Sequence, residues 1–174
     1  LSGRYADFPQ VTADGLDAAA ERLGVRLTAP QRSELLTAYE TALPAHADAI
    51  PALAALGGFR LGVLSNGTPT MLARALGAAG LATYLPVVLS VDAVRAYKTA
   101  AAAYQLGPEA FSRPAGEIGF VSSNAWAAAG AAWFGYRVFW VNRAHEPMER
   151  LGVGPEASGR SLSDGVNWVA AGRA

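Results

Sequence analysis

Three short polar runs carry the residue types that could do chemistry. Ser65-Asn66-Gly67-Thr68-Pro69 joins a hydroxyl, an amide and a glycine. Such a turn can hold a carboxylate or phosphate oxygen on its backbone N–H groups at the start of a helix. Lys98 follows Tyr97, precedes Tyr104 by six residues, and is the single lysine among the 14 basic residues. A lysine in such a place is a point charge able to hold carboxylates together or stabilise an anion. Ser122-Ser123-Asn124-Ala125-Trp126 offers consecutive neutral donors and acceptors, with a tryptophan that could wall a pocket. Taken singly, each run has a plainer explanation. Ser65, Thr68, Ser123 or Asn124 would serve as a turn or helix cap, Lys98 as a solvated charge, and Trp126 with Trp133 as a helical core pair.

Composition removes several alternatives. Basic and acidic residues balance at 14 each, so no net field draws the chain to nucleic acid or to an anionic membrane. With no cysteine and two histidines, His46 and His145, neither disulfides nor thiolate or imidazole-rich metal sites are expected. No apolar run reaches the roughly 20 residues of a membrane span. A soluble, cytoplasmic protein acting on a small molecule is the expectation. A Walker-type phosphate loop, a dinucleotide fingerprint and a nucleophile elbow are all missing.

The elements that must position the three runs follow from periodicity. Leu16, Ala19, Ala20 and Leu23 recur at helical spacing from Thr12 to a stop at Gly24, and Thr28 with Pro30 opens a second helix carrying Leu35, Leu36, Tyr39 and Leu43. Residues 1–46 therefore read as a helical hairpin without a strand. Beyond it, helices over 48–56, 69–79, 99–106 and 125–134 alternate with strands at 60–64, 87–91, 118–121 and 137–141, ahead of a short edge strand and a closing helix. This alternation is the pattern of βαβ units, so the expected fold class is α/β, a Rossmann-like parallel sheet with helices on both faces. In such sheets ligands bind at the carboxyl ends of strands, where all three polar runs fall.

In order and wording these runs resemble the type II, or (S)-2-haloacid, dehalogenases of the haloacid dehalogenase superfamily. The similar residues are Ser65-Asn66-Gly67, Tyr97-Lys98 with Tyr104, Phe120 to Trp126, Phe134 to Arg143, and the opening Gly3-Arg4-Tyr5-Ala6-Asp7-Phe8. The resemblance spans nearly the whole chain. It implies a partial helical cap over 1–46 and a core over 47–174, acting on a short 2-haloalkanoate. A carboxylate would displace halide to form an ester, which water then cleaves to a 2-hydroxy acid of inverted configuration. Carried over by position, Ser65 would bind the substrate carboxylate, Asn66 and Trp126 would shape the substrate pocket, and Lys98 would hold the nucleophile's charge. Tyr104 and Ser122 would support that network, and Asn124 would orient the nucleophile or water. No cofactor and no metal are implied, since Ser122, Ser123 and Asn124 give a magnesium ion no carboxylate. A homodimer is compatible with the family.

The chain also departs from that family. Its nucleophile belongs to an Asp-x-x-Gly-Thr strand, and neither that motif nor the family's halide-binding arginine precedes Leu1. Ala127 stands where an aspartate assists ester hydrolysis, and Thr99 where a proline follows the lysine. The missing strand would lie between those ending at Leu64 and Val121, so a gap between two apolar strand edges is expected. As written the chain is expected to be inactive, with the nucleophile either upstream or lost. The alternative is a non-catalytic relative that binds a small carboxylate or a protein, and a phosphatase ranks below both.

Overall fold

The computed structural model describes residues 4–172, so Gly3 of the opening run lies outside the described residues. The chain begins with two helices, α1 (Phe8–Arg22) and α2 (Ala29–Thr41). Asp7 caps α1 by accepting from the Gln10 amide at 3.0 Å, which moves its start ahead of the expected Thr12. Thr28 and Gln31 form a reciprocal capping box on α2, satisfying donors that the helix itself leaves free. Arg32 of α2 grips Asp17 of α1 through two hydrogen bonds of 2.7 and 2.8 Å. Neither helix has a fully buried residue, and Leu23, Leu35, Tyr39 and Leu43 of the expected apolar stripes stay exposed.

Alternating helices and strands follow: α3 (Ala49–Ala55), β1 (Gly62–Ser65), α4 (Pro69–Ala78), β2 (Val87–Ser90) and α5 (Ala101–Phe111). A single 3-10 turn, Val91–Val94, links β2 to the approach to α5. Then come β3 (Gly119–Ser122), α6 (Ala125–Phe134), β4 (Arg137–Val141), β5 (Ala157–Gly159) and α7 (Leu162–Ala171). All pairings are parallel, as the βαβ pattern requires. The strands nonetheless form two sheets rather than one, β1-β2 and β3-β4-β5. One edge of β1 and one edge of β3 have no strand partner among the described residues, and a cleft of about 750 Å³ opens between them.

The best-packed part lies on the β3–β4 side. Tyr104, Ala128, Ala131, Tyr136, Val138 and Trp140 form one buried cluster, with Phe120 and Phe134 packed against it. Small residues on α6 let the Tyr104 ring approach closely: a Cβ on Gly130 would lie 2.6 Å from the Tyr104 oxygen. α5 runs through Gly107-Pro108 to Phe111, past the expected end at 106. Pro108 has no N–H to give the Tyr104 carbonyl four residues back, and the Tyr136 hydroxyl donates to that carbonyl instead. Gly107 makes room for it, since a Cβ there would overlap the Tyr136 oxygen.

Asp48, just before α3, ties the two ends of the core together. Its carboxylate accepts from Arg143 at 2.8 Å and from the Leu162 amide at 2.8 Å. Arg143 and that amide hold its carboxyl below the usual carboxylate range, against a burial effect of opposite sign. Among the described residues no helix is long and apolar enough to cross a membrane.

Candidate active site at the strand ends

The loop after β1 is built from its own polar atoms. The Ser65 hydroxyl accepts from the Gly67 amide at 3.2 Å, which folds the chain back before Thr68 caps α4. Ser65 is thereby partly committed to the turn, as its plainer explanation requires, and it does not line the cleft. Asn66 reaches across to the next strand end, where its Oδ1 accepts from the Lys98 amide at 3.2 Å. Asn66 is thus a brace for the lysine.

Lys98 is the feature on which these contacts converge. Its ammonium lines the cleft and donates to the Leu64 carbonyl of β1 at 3.1 Å. No carboxylate pairs with it among the described residues. Removal from water disfavours the charged amine, and its pKa is lowered accordingly. The cleft does contain a carboxylate, Glu117, but that residue precedes β3 and is paired with Arg113 at 3.1 Å. Because β1 and β3 both enter the cleft region with their glycines first, Glu117 sits by the strand starts and Lys98 by the strand ends.

Ser122, at the end of β3, also lines the cleft and accepts from the Asn124 amide at 3.1 Å. Asn124 starts α6 without a side-chain cap bond, leaving its amide exposed. Trp126, in the first turn of α6, is 38% exposed and does not line the cleft. Tyr104 is placed differently from a pocket residue. It is fully buried, with its hydroxyl donating to the Ala127 carbonyl at 2.8 Å, and burial pushes its pKa up to about 12. Its reach toward the site runs only through the first turn of α6.

Sequence reasoning passed over Ser90. Buried at the end of β2, its hydroxyl donates to the Gly67 carbonyl at 2.7 Å and accepts from the Asp92 amide at 3.2 Å. It clamps the loop after β1 to the turn after β2. A hydroxyl directly following the apolar run Val87-Val88-Leu89 was the available signal. No cluster of acidic or imidazole side chains able to hold a metal ion is present among the described residues.

The arrangement can therefore hold an anion at the ends of β1 and β3, using a desolvated ammonium, a free edge and neutral hydroxyls. Comparison with known proteins gives the same direction. Residues 3–135 match the model of the haloacid dehalogenase-like hydrolases. (S)-2-Haloacid dehalogenase 1 of Pseudomonas sp. (strain CBS-3) is 40% identical over 151 residues, covering 86% of this chain and 66% of that protein. The (S)-2-haloacid dehalogenase of Pseudomonas sp. (strain YL) is 37% identical over 164 residues, covering 93% and 70%. A crystal structure of an L-2-haloacid dehalogenase superposes with a TM-score of 0.93 at 45% identity, over 97% of this chain and 74% of that one. The enzyme from Xanthobacter autotrophicus with chloropropionic acid covalently bound gives 0.88 at 31% identity, over 97% and 78%. The chain spans about two thirds of the length of the first of these curated relatives. It belongs to the haloacid dehalogenase-like hydrolases, on the (S)-2-haloacid dehalogenase branch.

Proposed function

We propose that this chain is the scaffold of an (S)-2-haloacid dehalogenase that works on a carboxylate nucleophile seated between β1 and β3. The observation that carries the reading is Lys98. A single lysine, desolvated in the cleft, donates to the neutral Leu64 carbonyl and pairs with no carboxylate among the described residues, so a carboxylate reaching it would be held by an unneutralised positive charge. A carboxylate beside it would be held ionised and would displace halide from the α-carbon of a 2-haloalkanoate with inversion, leaving an ester. Water would then attack the ester carbonyl, releasing the 2-hydroxy acid and restoring the carboxylate.

In this reading Ser65 and Asn66 receive the substrate carboxylate at the turn after β1, and Ser122 and Asn124 orient the nucleophile or the water. Trp126 walls the substrate side, and Tyr104 supports the first turn of α6. The acid itself comes from a strand in the cleft, since Glu117 stands at the wrong end. The hairpin of α1 and α2 acts as the cap. No metal or cofactor takes part, and the protein works in the cytoplasm as a homodimer with no nucleic-acid partner.

Chloride release from (S)-2-chloropropionate tests this directly. A polypeptide that places an aspartate-bearing strand in the cleft is expected to release chloride and form the (R)-hydroxy acid, and Lys98→Met is expected to lower the rate about 100-fold or more. Equal rates with and without Lys98 would sink the reading. One observation favours a non-catalytic alternative: Ala127 is completely buried where the family carries an acid. Ala127→Asp raising halide release would mark this chain as a weakened enzyme. Carboxylate binding without turnover in either form would favour the binding module.

A further inference from the structure

The residues ahead of α1 are fastened to the segment that leads into Lys98. The Tyr5 hydroxyl donates to the Asp92 carboxylate at 2.6 Å, across 87 positions of sequence. In the opposite sense, the Tyr97 hydroxyl donates to the Ala6 carbonyl at 2.7 Å. The two rings lie 5.3 Å apart, Phe8 meets Tyr97 edge-on at 6.2 Å, and the Arg95 guanidinium sits 4.8 Å above the Tyr5 ring. Arg95 holds a left-handed backbone conformation, φ +49°, that non-glycine residues adopt only when the surroundings enforce it. Burial and then the Asp92 bond raise the Tyr5 pKa well above its ordinary value, so the phenol stays a donor.

The 91–97 segment is gripped from its other side as well, because Ser90 binds both the Asp92 amide and the Gly67 carbonyl. Its next residue is Lys98. We propose that Tyr5, Asp92 and Tyr97 are positioning residues: by seating the chain ahead of α1 on the 91–97 segment, they fix how deeply the Lys98 ammonium sits in the cleft. The inference rests on the reading of Lys98 as the site's cation, but its test needs no substrate and no turnover. Absence of halide release would therefore sink that reading without touching this one.

Since Lys98 is the only lysine, a chain labelled with 13Cε-lysine gives one side-chain resonance that reports on it alone. Tyr5→Phe and Tyr97→Phe delete the two hydroxyls and keep both rings. In the double variant water reaches the amine, and the titration midpoint of the resonance is expected to rise by about half a pH unit, a threefold change in proton affinity. Arg74→Ala is the control. It breaks the 2.7 Å ion pair between α4 and Glu40, another fastening of the hairpin to the core that does not lead into Lys98. That variant is expected to leave the midpoint within about 0.1 pH unit. An unmoved midpoint in the folded double variant, or an equal movement in Arg74→Ala, would overturn the proposal.

Discussion

The two sheets of this protein use similar residues to different effect. β4 is flanked by β3 and β5, carries α6 and α7 against it, and buries every side chain from Val138 to Val141. β1 pairs with β2 on one side and with no strand on the other among the described residues, and none of its four residues is fully buried. β3 stands between the two conditions, with Phe120 in the aromatic cluster and Val121 38% exposed toward the cleft. Hydrophobic stabilisation follows area removed from water, so stability should concentrate around β4. The polar groups that could act on a ligand gather instead where the sheet is interrupted. The difference separates the part that holds the fold from the part that is arranged to receive something.

Substitutions at matched positions should expose that asymmetry. The largest effect is expected from Tyr104→Ala, which empties the centre of the aromatic cluster and removes the donor to the Ala127 carbonyl. The cost should be about 3–5 kcal/mol, read from denaturant midpoints, against about 1 kcal/mol for Val63→Ala at a cleft-lining position of the open strand. A similar cost at both positions would mean that the two halves are equally packed in solution.

Gly107→Ala comes next. Its methyl would occupy the place of the Tyr136 hydroxyl, so the ring must withdraw and its bond to the Tyr104 carbonyl must break. Overpacking and a lost buried hydrogen bond together should cost about 2 kcal/mol. Tyr136→Phe in the same chain removes the clashing oxygen and should recover part of the loss. A double variant no better than Gly107→Ala alone would show that the clash is not with that oxygen.

How much of this could be read beforehand depended on whether a signal was local. The order of helices and parallel strands followed from apolar spacing, and Thr28 with Pro30 declared a helix start within three residues. The start of α1 was equally local, in Asp7 and Pro9, but the more visible Thr12-Ala13-Asp14 drew the boundary later. α5 passed its expected end because the carbonyl left free by Pro108 finds a donor 32 residues away in Tyr136. That compensation is invisible in a local window. Among the candidate site residues, the order of strands and polar runs placed Asn66 and Ser122 just at or after the ends of β1 and β3, with Lys98 in the segment that follows β2. It could not say that Tyr104 turns into the core, because side-chain direction on α5 depends on where α6 packs. The two-sheet arrangement was anticipated only as a gap, through family resemblance.

Lys98→Met isolates the open side. Since the folded state lowers the lysine's pKa, that state binds protons less readily than the unfolded chain. The charged amine therefore costs stability below the folded pKa, and the cost fades as pH rises from there toward the unfolded value of about 10.4. At neutral pH this linkage favours Lys98→Met, offset by the loss of the Lys98 bond to the Leu64 carbonyl, and the gain is expected to shrink as alkaline pH is approached. A loss of stability at neutral pH would show that Lys98 has found an anionic partner.

The smallest effect is expected from Val121→Thr, and its value lies in a twin. The substitution keeps the branched shape and replaces a methyl by a hydroxyl, which costs little where water can reach it. At Val121, 38% exposed on β3, the change should be below about 0.5 kcal/mol. At Val138, 1% exposed and paired with Phe120 on the neighbouring strand, the same change buries a hydroxyl and should cost about 1–3 kcal/mol. If Val121→Thr proved as costly as Val138→Thr, the Val121 side chain would be covered in solution. The cleft between β1 and β3 would then hold an apolar occupant, and the β1 side would be packed as closely as the β4 side.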